Sequence, residues 1–381
     1  MAAPPEARFM LVCVDTGGPD VGFEGDGGPD DSAEHRAGMV ARLAACRAAL
    51  APCLEALDDH IAGVRLALHC RRERRRRPDV DDAIDHDHGL VAQLIVRGPR
   101  SRVPVLWQGL DRGDLPAVFA AALADEVAAA IEAAGSAWML AVPRRCPVLL
   151  APWPAALFAH ECIGHPSEAD NYLASARPSG NALGARLCRH PLRVVDDPTC
   201  PGLRGGYRHD DEGEPAAPTV LVEDGVWCGL LYNRALAGRL GSPCSGNGRR
   251  VPGAGPALPR MSVLRVEAGS DSIDELIGRI DGGVLCCGAF GGRSAGTDFV
   301  LRPAYGRWIE DGRLTDRIVR RFDLVGDQRA AVAAIAGRSP NVQMFDPIFG
   351  CDKDGHDCLP VSMGAPHLLL NDIELRPIER P

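Results

Sequence analysis

Two histidines and a glutamate fall within six residues in the stretch Phe158-Ala159-His160-Glu161-Cys162-Ile163-Gly164-His165-Pro166, directly after an apolar run. This stretch constrains the chain more than any other, because it asks for a helix and for a departure from one. Histidine is the commonest neutral metal ligand. A glutamate beside a ligating histidine is placed to act as general base on an activated water. Histidines four residues apart share one helix face. Here the spacing is five, and at about 100° per residue an ideal helix carries His165 roughly 140° round from His160. A single regular helix therefore does not present both to one ion. The sequence offers a remedy: Gly164 loosens the last turn, and Pro166 disfavours the α conformation at His165. A helix is expected to begin near Pro154, a good first-turn residue, and to end at about Gly164, leaving His165 where the chain swings away. The plainer alternative is a chance HExxxH whose second histidine merely ends a helix. With 11 histidines in 381 residues that coincidence is the weaker reading.

The chain is long enough for two domains, each with its own core, and its apolar fraction of 46% is ordinary for a globular protein. The formal net charge of −9 argues against a general nucleic-acid binder, which needs a basic face. No run of eighteen apolar residues suggests a membrane span. Residues 1–8 do not read as a charged-then-apolar export signal, so the expected location is cytoplasmic. Fourteen cysteines without a CxxC pair read as free thiols, many of them buried, rather than as a four-cysteine zinc site. Arginine is abundant and lysine almost absent, a composition typical of a GC-rich bacterial genome.

Along the chain, residues 9–14 read as a strand and 16–31 as a Gly/Pro/Asp-rich loop. Helical spacing of Met39, Leu43, Ala44, Ala48, Leu50, Leu54 and Leu57 predicts a helix over 33–57. Residues 64–69 suggest a strand. The arginine-rich run 71–77, followed by Asp79, Asp81, Asp82, Asp85 and Asp87, reads as a solvated loop whose halves neutralise each other rather than as an anion-binding patch. Residues 90–96 and 103–107 read as a hairpin or two sheet strands, and 116–134 as a strong helix. Residues 147–152 form a short buried strand leading into the histidine helix. Beyond His165, glycine and proline punctuate short apolar runs at 192–195, 219–222, 226–232, 261–266, 283–289 and 299–301. Glu223-Asp224-Gly225 and Glu310-Asp311-Gly312 look like tight hairpin turns, and 272–280 and 328–336 like helices. The fold class is α+β: a smaller α/β N-terminal domain over 1–145, followed by a mostly antiparallel-sheet domain over 146–381 that carries the HExxxH helix.

A series of short motifs, taken in order, resembles the TldD/PmbA metallopeptidases from about residue 147 to the C-terminus. They are His160-Glu161-Cys162-Ile163-Gly164-His165 with Glu168 and Asp170 after it, Val194-Val195-Asp196-Asp197, Asp210-Asp211-Glu212-Gly213, Gly246-Asn247-Gly248-Arg249-Arg250, Pro259-Arg260-Met261, the glycines Gly291-Gly292 and Gly326, and Cys351-Asp352-Lys353-Asp354-Gly355-His356 followed by Gly364-Ala365-Pro366. Each is weak alone; together they are specific. The resemblance implies His160, His165 and Cys351 as ligands of one Zn²⁺ per chain, with Glu161 as catalytic base. Two imidazoles and a thiolate leave a fourth tetrahedral position open. It also implies a peptide substrate and a homodimer or a heterodimer with a TldD/PmbA paralogue, with retained ligands pointing to the metal-bearing subunit. Glu168, Asp210, Asp211, Arg249 and His356 are candidates for supporting the ligands or the substrate. For Asp210, Asp211 and Glu212, holding a turn or a ligand histidine is preferred over direct catalysis. The sequence departs from the family at Asp352 and His356, where a glycine and a glutamine are usual, at Arg293 and the residues after Gly292, and in a shortened first domain.

Three functions follow. The first is zinc-dependent hydrolysis of unfolded or short peptides, including maturation of a modified peptide natural product. The second keeps the site but lets an amine or side-chain nucleophile attack, giving cyclisation or amide exchange. The third is a non-catalytic zinc-binding subunit, with Cys162 or Cys358 supplying a fourth ligand.

Overall fold

The computed structural model describes strands Ala7–Asp15, Val21–Gly25, Ile61–Arg77, Val80–Arg97 and Arg102–Leu110, scattered helical residues between 37 and 49, and residues 137–378 except 141, 176–181, 252–254 and 348–349. The chain forms two compact units: residues 1–137, 251–254 and 347–349 in one, and 138–250, 255–346 and 350–381 in the other.

In the first unit the five strands make one antiparallel sheet, with Ala7–Asp15 between Val21–Gly25 and Ile61–Arg77, followed by Val80–Arg97 and Arg102–Leu110. Two expectations change here. The segment 16–31 contains the strand Val21–Gly25, and the arginine run is backbone of a long hairpin rather than a loop. Arg71 stands opposite Asp87 and Glu73 opposite Asp85, so pairing satisfies backbone groups that a loop leaves to water. The expected helix at 116–134 lies outside the described residues, as does most of that at 33–57.

The second unit is built from two larger sheets. In one, Gly282–Ala295, Arg144–Leu150, Leu368–Pro377, Phe322–Asp327 and Asp298–Glu310 pair in succession, and Asp298–Glu310 pairs again with Gly282–Ala295. The pairings thus run in a closed circuit, which removes edges from those strands. All are antiparallel except Arg144–Leu150 with Gly282–Ala295. The other sheet orders Val226–Trp227, Thr219–Glu223, Val194–Asp196, Val263–Val266, Ser362–Ala365 and Gln343–Phe345, with one parallel pair between Val263–Val266 and Ser362–Ala365. Both expected hairpin turns form, with Asp224 and Asp311 left-handed before Gly225 and Gly312. The expected helix from Ser272 is Ile273–Gly278, started by a capping box between Ser272 and Glu275.

Strand Arg144–Leu150 ends directly before helix Pro152–Ala159, whose prolines lie in the first turn. This helix packs against Gly282–Ala295 of one sheet and Ser362–Ala365 of the other. A helix covered on both sides is apolar all round rather than on one stripe, and every residue from Pro154 to Ala159 is buried. Phe158 meets Phe299 edge to face at 5.7 Å. No helix among the described residues is long and apolar enough to cross a membrane.

Candidate metal centre

At His160 the helix passes into a π turn, His160–Gly164, in which the His165 N–H donates to the His160 carbonyl. An i→i+5 bond makes five residues about one turn. The spacing that fails in an α-helix therefore succeeds here: the rings of His160 and His165 meet edge to face, 4.7 Å between centroids. This differs from the remedy expected from sequence. His165 stays helical at φ −55° and ψ −44°, and the chain swings away at Glu168, where ψ is 125°. Pro166 is accommodated in the first turn of the short helix His165–Ser167. Gly164 serves packing, because a Cβ there would come within 2.0 Å of the Met261 sulfur. Side chains reach carbonyls of the widened turn from outside: Gln328 Nε2 donates to Glu161 O at 3.1 Å, and Ser167 Oγ to Ile163 O at 2.7 Å.

Cys351 arrives from far along the chain, on the strand Cys351–Lys353, which pairs with His356–Leu359 across a tight turn at Asp354-Gly355. Its Sγ lies 3.1 Å from His160 Nε2 and 3.4 Å from His165 Nε2. The three ligand atoms fall within 4.8 Å of one another, and no other such trio of His, Cys, Asp or Glu occurs among the described residues. Zn–N and Zn–S lengths of about 2.0–2.1 and 2.3 Å put tetrahedral N···S separations at about 3.6 Å, so small adjustments admit an ion. Burial acts against ionising Cys351, but the imidazoles of His165 and His160 outweigh it and hold the thiol well below its ordinary range. The thiolate is the metal-binding form.

Glu161 is buried, and its Oε2 has no hydrogen-bond partner. Room for this carboxylate comes from Gly292: a Cβ there would stand 3.0 Å from Glu161 Cγ and 3.2 Å from Oε1. A buried carboxylate oxygen left unpaired is costly, and on the residue that follows His160 it fits a site that takes a further polar group. A borderline-soft N₂S donor set with an open position suits zinc.

Glu168 is fully buried and touches the ligands directly: its Oε2 lies 2.9 Å from His165 Nδ1. With the proton on Nδ1, the Nε2 lone pair faces Cys351, the arrangement a metal-bound imidazole needs. Burial pushes the Glu168 carboxyl up, but His165, Lys353 and Arg260 overcome this and bring it down to about 2. Arg260, also fully buried, donates to the carbonyls of Cys351 at 2.8 Å and His356 at 3.3 Å, holding the cysteine hairpin. The His356 backbone is thus tied to the centre, but its ring is not among the groups whose ligand atoms gather within 4.8 Å of one another. Nor does Cys162 or Cys358 join it.

The other sequence candidates stand elsewhere. Asp210 accepts N–H groups of Glu212 and Glu214 on Oδ1 and of Gly248 on Oδ2. Asp211 Oδ2 accepts the Arg250 N–H. Arg249 donates to Met261 O at 2.6 Å and lies over the Tyr207 ring. They hold backbone, and the structure does not bring them to the ligand trio. Asp352 Oδ1 accepts the Cys358 N–H at 2.6 Å, so this departure from the family has a structural use in the hairpin. Sequence reasoning assigned no role to Lys353, Arg260, Asn171 or Gln328, all of which contact the centre or its supports. For Lys353 a signal was present: it is the only lysine in the chain. Behind the π turn a cavity of about 300 Å³ is lined by Ile163, His165, Trp227, Thr297 and Val332 among others.

Curated relatives share the sequence of this region. A metalloprotease of Synechocystis is 32% identical over 228 residues, covering 60% of this chain and 49% of the relative. A zinc metalloprotease TldD homolog of Saccharolobus solfataricus is 27% identical over 233 residues, covering 60% and 51%. The chain thus spans about half the length of the curated relatives it matches. The crystal structure of TldE from Thermococcus kodakarensis superposes with a TM-score of 0.69 at 15% identity, covering 98% of this chain and 95% of that one, a likeness of fold. Residues 143–376 match the model of the PmbA/TldA metallopeptidase C-terminal domain, and with His160, His165 and Cys351 gathered within that span the chain belongs to the TldD/PmbA metallopeptidase family.

Proposed function

We propose that the chain is a zinc-dependent peptidase acting on unfolded or short peptides, with one Zn²⁺ held by His160, His165 and Cys351. The observation that carries this reading is the meeting of Cys351 Sγ with both Nε2 atoms, together with the buried, unpaired Oε2 of Glu161 on the residue that follows His160. When bound, zinc polarises a carbonyl oxygen and lowers the pKa of a coordinated water to about 7. His160 and His165 offer Nε2 and Cys351 its thiolate, while Glu168 fixes the orientation of the His165 ring. Glu161 takes a proton from the attacking water and returns it to the leaving amine. Maturation of a modified peptide and work as a homodimer or with a TldD/PmbA paralogue rest on family membership, action in the cytoplasm on the reading of the sequence, and all are part of the same proposal.

Metal content tests the reading. Purified protein should hold about one zinc per chain, and Cys351→Ala should lose most of it, because two ligands bind far more weakly than three. Cys358→Ala should keep it. Full zinc in Cys351→Ala, or equal loss in both variants, contradicts the ligand set.

A further inference from the structure

Lys353 stands out by its rarity and its surroundings. Of 42 basic residues in the chain, 41 are arginine and one is this lysine. Its side chain is 6% exposed. An ammonium has three donors and no acceptor, and the contacts of Nζ account for all three: Glu168 Oε2 at 2.9 Å, Asp170 Oδ1 at 2.7 Å and Pro259 O at 3.3 Å. The three acceptors come from the segment after the π turn and from the strand Leu258–Pro259, while Lys353 itself lies two residues from Cys351 on the same strand. The Glu168 oxygen it holds is the one that meets His165 Nδ1, with Asn171 Nδ2 as a further donor at 3.0 Å. A planar guanidinium, whose donors are spread over a rigid fork, does not place them on three acceptors converging on one point.

We propose that Lys353 is a positioning residue of the metal centre: its ammonium ties the strand that carries Cys351 to the carboxylate that orients His165, so that the thiolate and the imidazole are set by one clamp. It acts on ligand geometry, with all three of its donors engaged in holding the acceptors around it. The assignment rests on the zinc reading given above.

The test measures zinc affinity by competition with a chromophoric chelator, and the thiolate-to-metal charge-transfer band of the Co²⁺-loaded protein. Partners of ligating histidines typically affect metal affinity 10- to 100-fold, so Lys353→Met should lower zinc affinity by that factor and weaken or shift the Co²⁺ band. Lys353→Arg, which keeps the charge, should lose at least about tenfold, on the same scale. Glu168→Gln should lose a similar factor, and the double variant with Lys353→Met should fall well short of the product of the two losses, because the residues act as one unit. Zinc affinity within threefold of wild type in Lys353→Met or Lys353→Arg overturns the assignment, as do multiplicative losses in the double variant. A wild-type protein that binds no zinc instead contradicts the metal reading itself. Being the sole lysine, Lys353 also reports without any substitution: amine acylation, mapped by mass spectrometry, should be slow in the zinc-loaded protein and at least several-fold faster after chelation. Equal rates in the two states count against the clamp even where the variants fail to fold.

Discussion

Two clusters of buried polar residues occupy the second unit, and they differ in how far their atoms are used. Around Asp196, Asp210 and Asp211, carboxylate oxygens are met by protein donors: Asp196 accepts from Ser262 N–H and Oγ and from Asn247, and Asp210 from three backbone N–H groups. Around His160 and Cys351, by contrast, Glu161 Oε2 and His160 Nδ1 are buried without a partner. Both clusters are rich in motif residues. Carboxylates saturated by protein donors are suited to holding a fold, even with Asn247 Oδ1 buried and unpartnered among them, whereas a carboxylate oxygen left open next to a ligand histidine has capacity left for a reacting group. The first cluster nevertheless serves the second: Asn247 also donates to the Arg260 carbonyl, and Arg260 clamps the cysteine hairpin.

Substitutions can break or sharpen this division. The largest effect is expected at the open cluster: His160→Ala should abolish both zinc retention and peptidase turnover, by on the order of a thousandfold or more, with little loss of thermal stability measured on metal-free protein. In the closed cluster the effects should reverse. Asp196→Ala strands the buried donors of Asn247 and Ser262 at about 1–3 kcal/mol each, so calorimetry should show a marked fall in Tm, while the folded fraction still binds zinc. Asp210→Ala removes the acceptor of three backbone N–H groups, of which that of Gly248 is buried and those of Glu212 and Glu214 only partly so; it should cost about 1–3 kcal/mol in denaturant titration, with kcat within threefold of wild type. A hundredfold loss of kcat at Asp210 with normal stability would place it in the chemistry and dissolve the distinction. A smaller effect is expected at Gly164→Ala, where the new methyl must displace the end of the Met261 side chain. Overpacking of this kind costs about 1–3 kcal/mol, and the flexible thioether should keep it near the lower end.

The metal cluster was legible where chemistry is local. His160, Glu161 and His165 declare themselves by residue type within six positions. What the spacing concealed was the π turn, because reasoning at 3.6 residues per turn forces a helix break to reconcile a five-residue interval. Gly164 and Pro166 read as agents of that break, and the structure uses one for close packing and the other as a first-turn residue. Cys351 reached the site through motif order alone, since nothing local marks a thiol that pairs with histidines nearly two hundred residues earlier. Strands bounded by turn residues, such as Thr219–Glu223 and Val226–Trp227 about Asp224-Gly225, were readable for the same local reason. The parallel pairing of Arg144–Leu150 with Gly282–Ala295 was not, because the partners are distant in sequence and both are simply apolar. At 71–77 the run of charge suggested a loop, but charge does not prevent backbone pairing, and the run pairs with the strand that begins at Val80.

The most direct measurement concerns Glu161 and is made on one preparation. Glu161→Gln keeps the size of the side chain and removes most of its basicity. A general base contributes on the order of 10²–10⁴ in rate, so turnover of a peptide substrate should fall at least a hundredfold while zinc content stays near wild type. Activity and zinc lost together would mean only that the site had collapsed, which makes the paired determination necessary. A Gln variant that holds its metal and still cleaves peptide at nearly the wild-type rate would contradict the mechanism assigned to this centre.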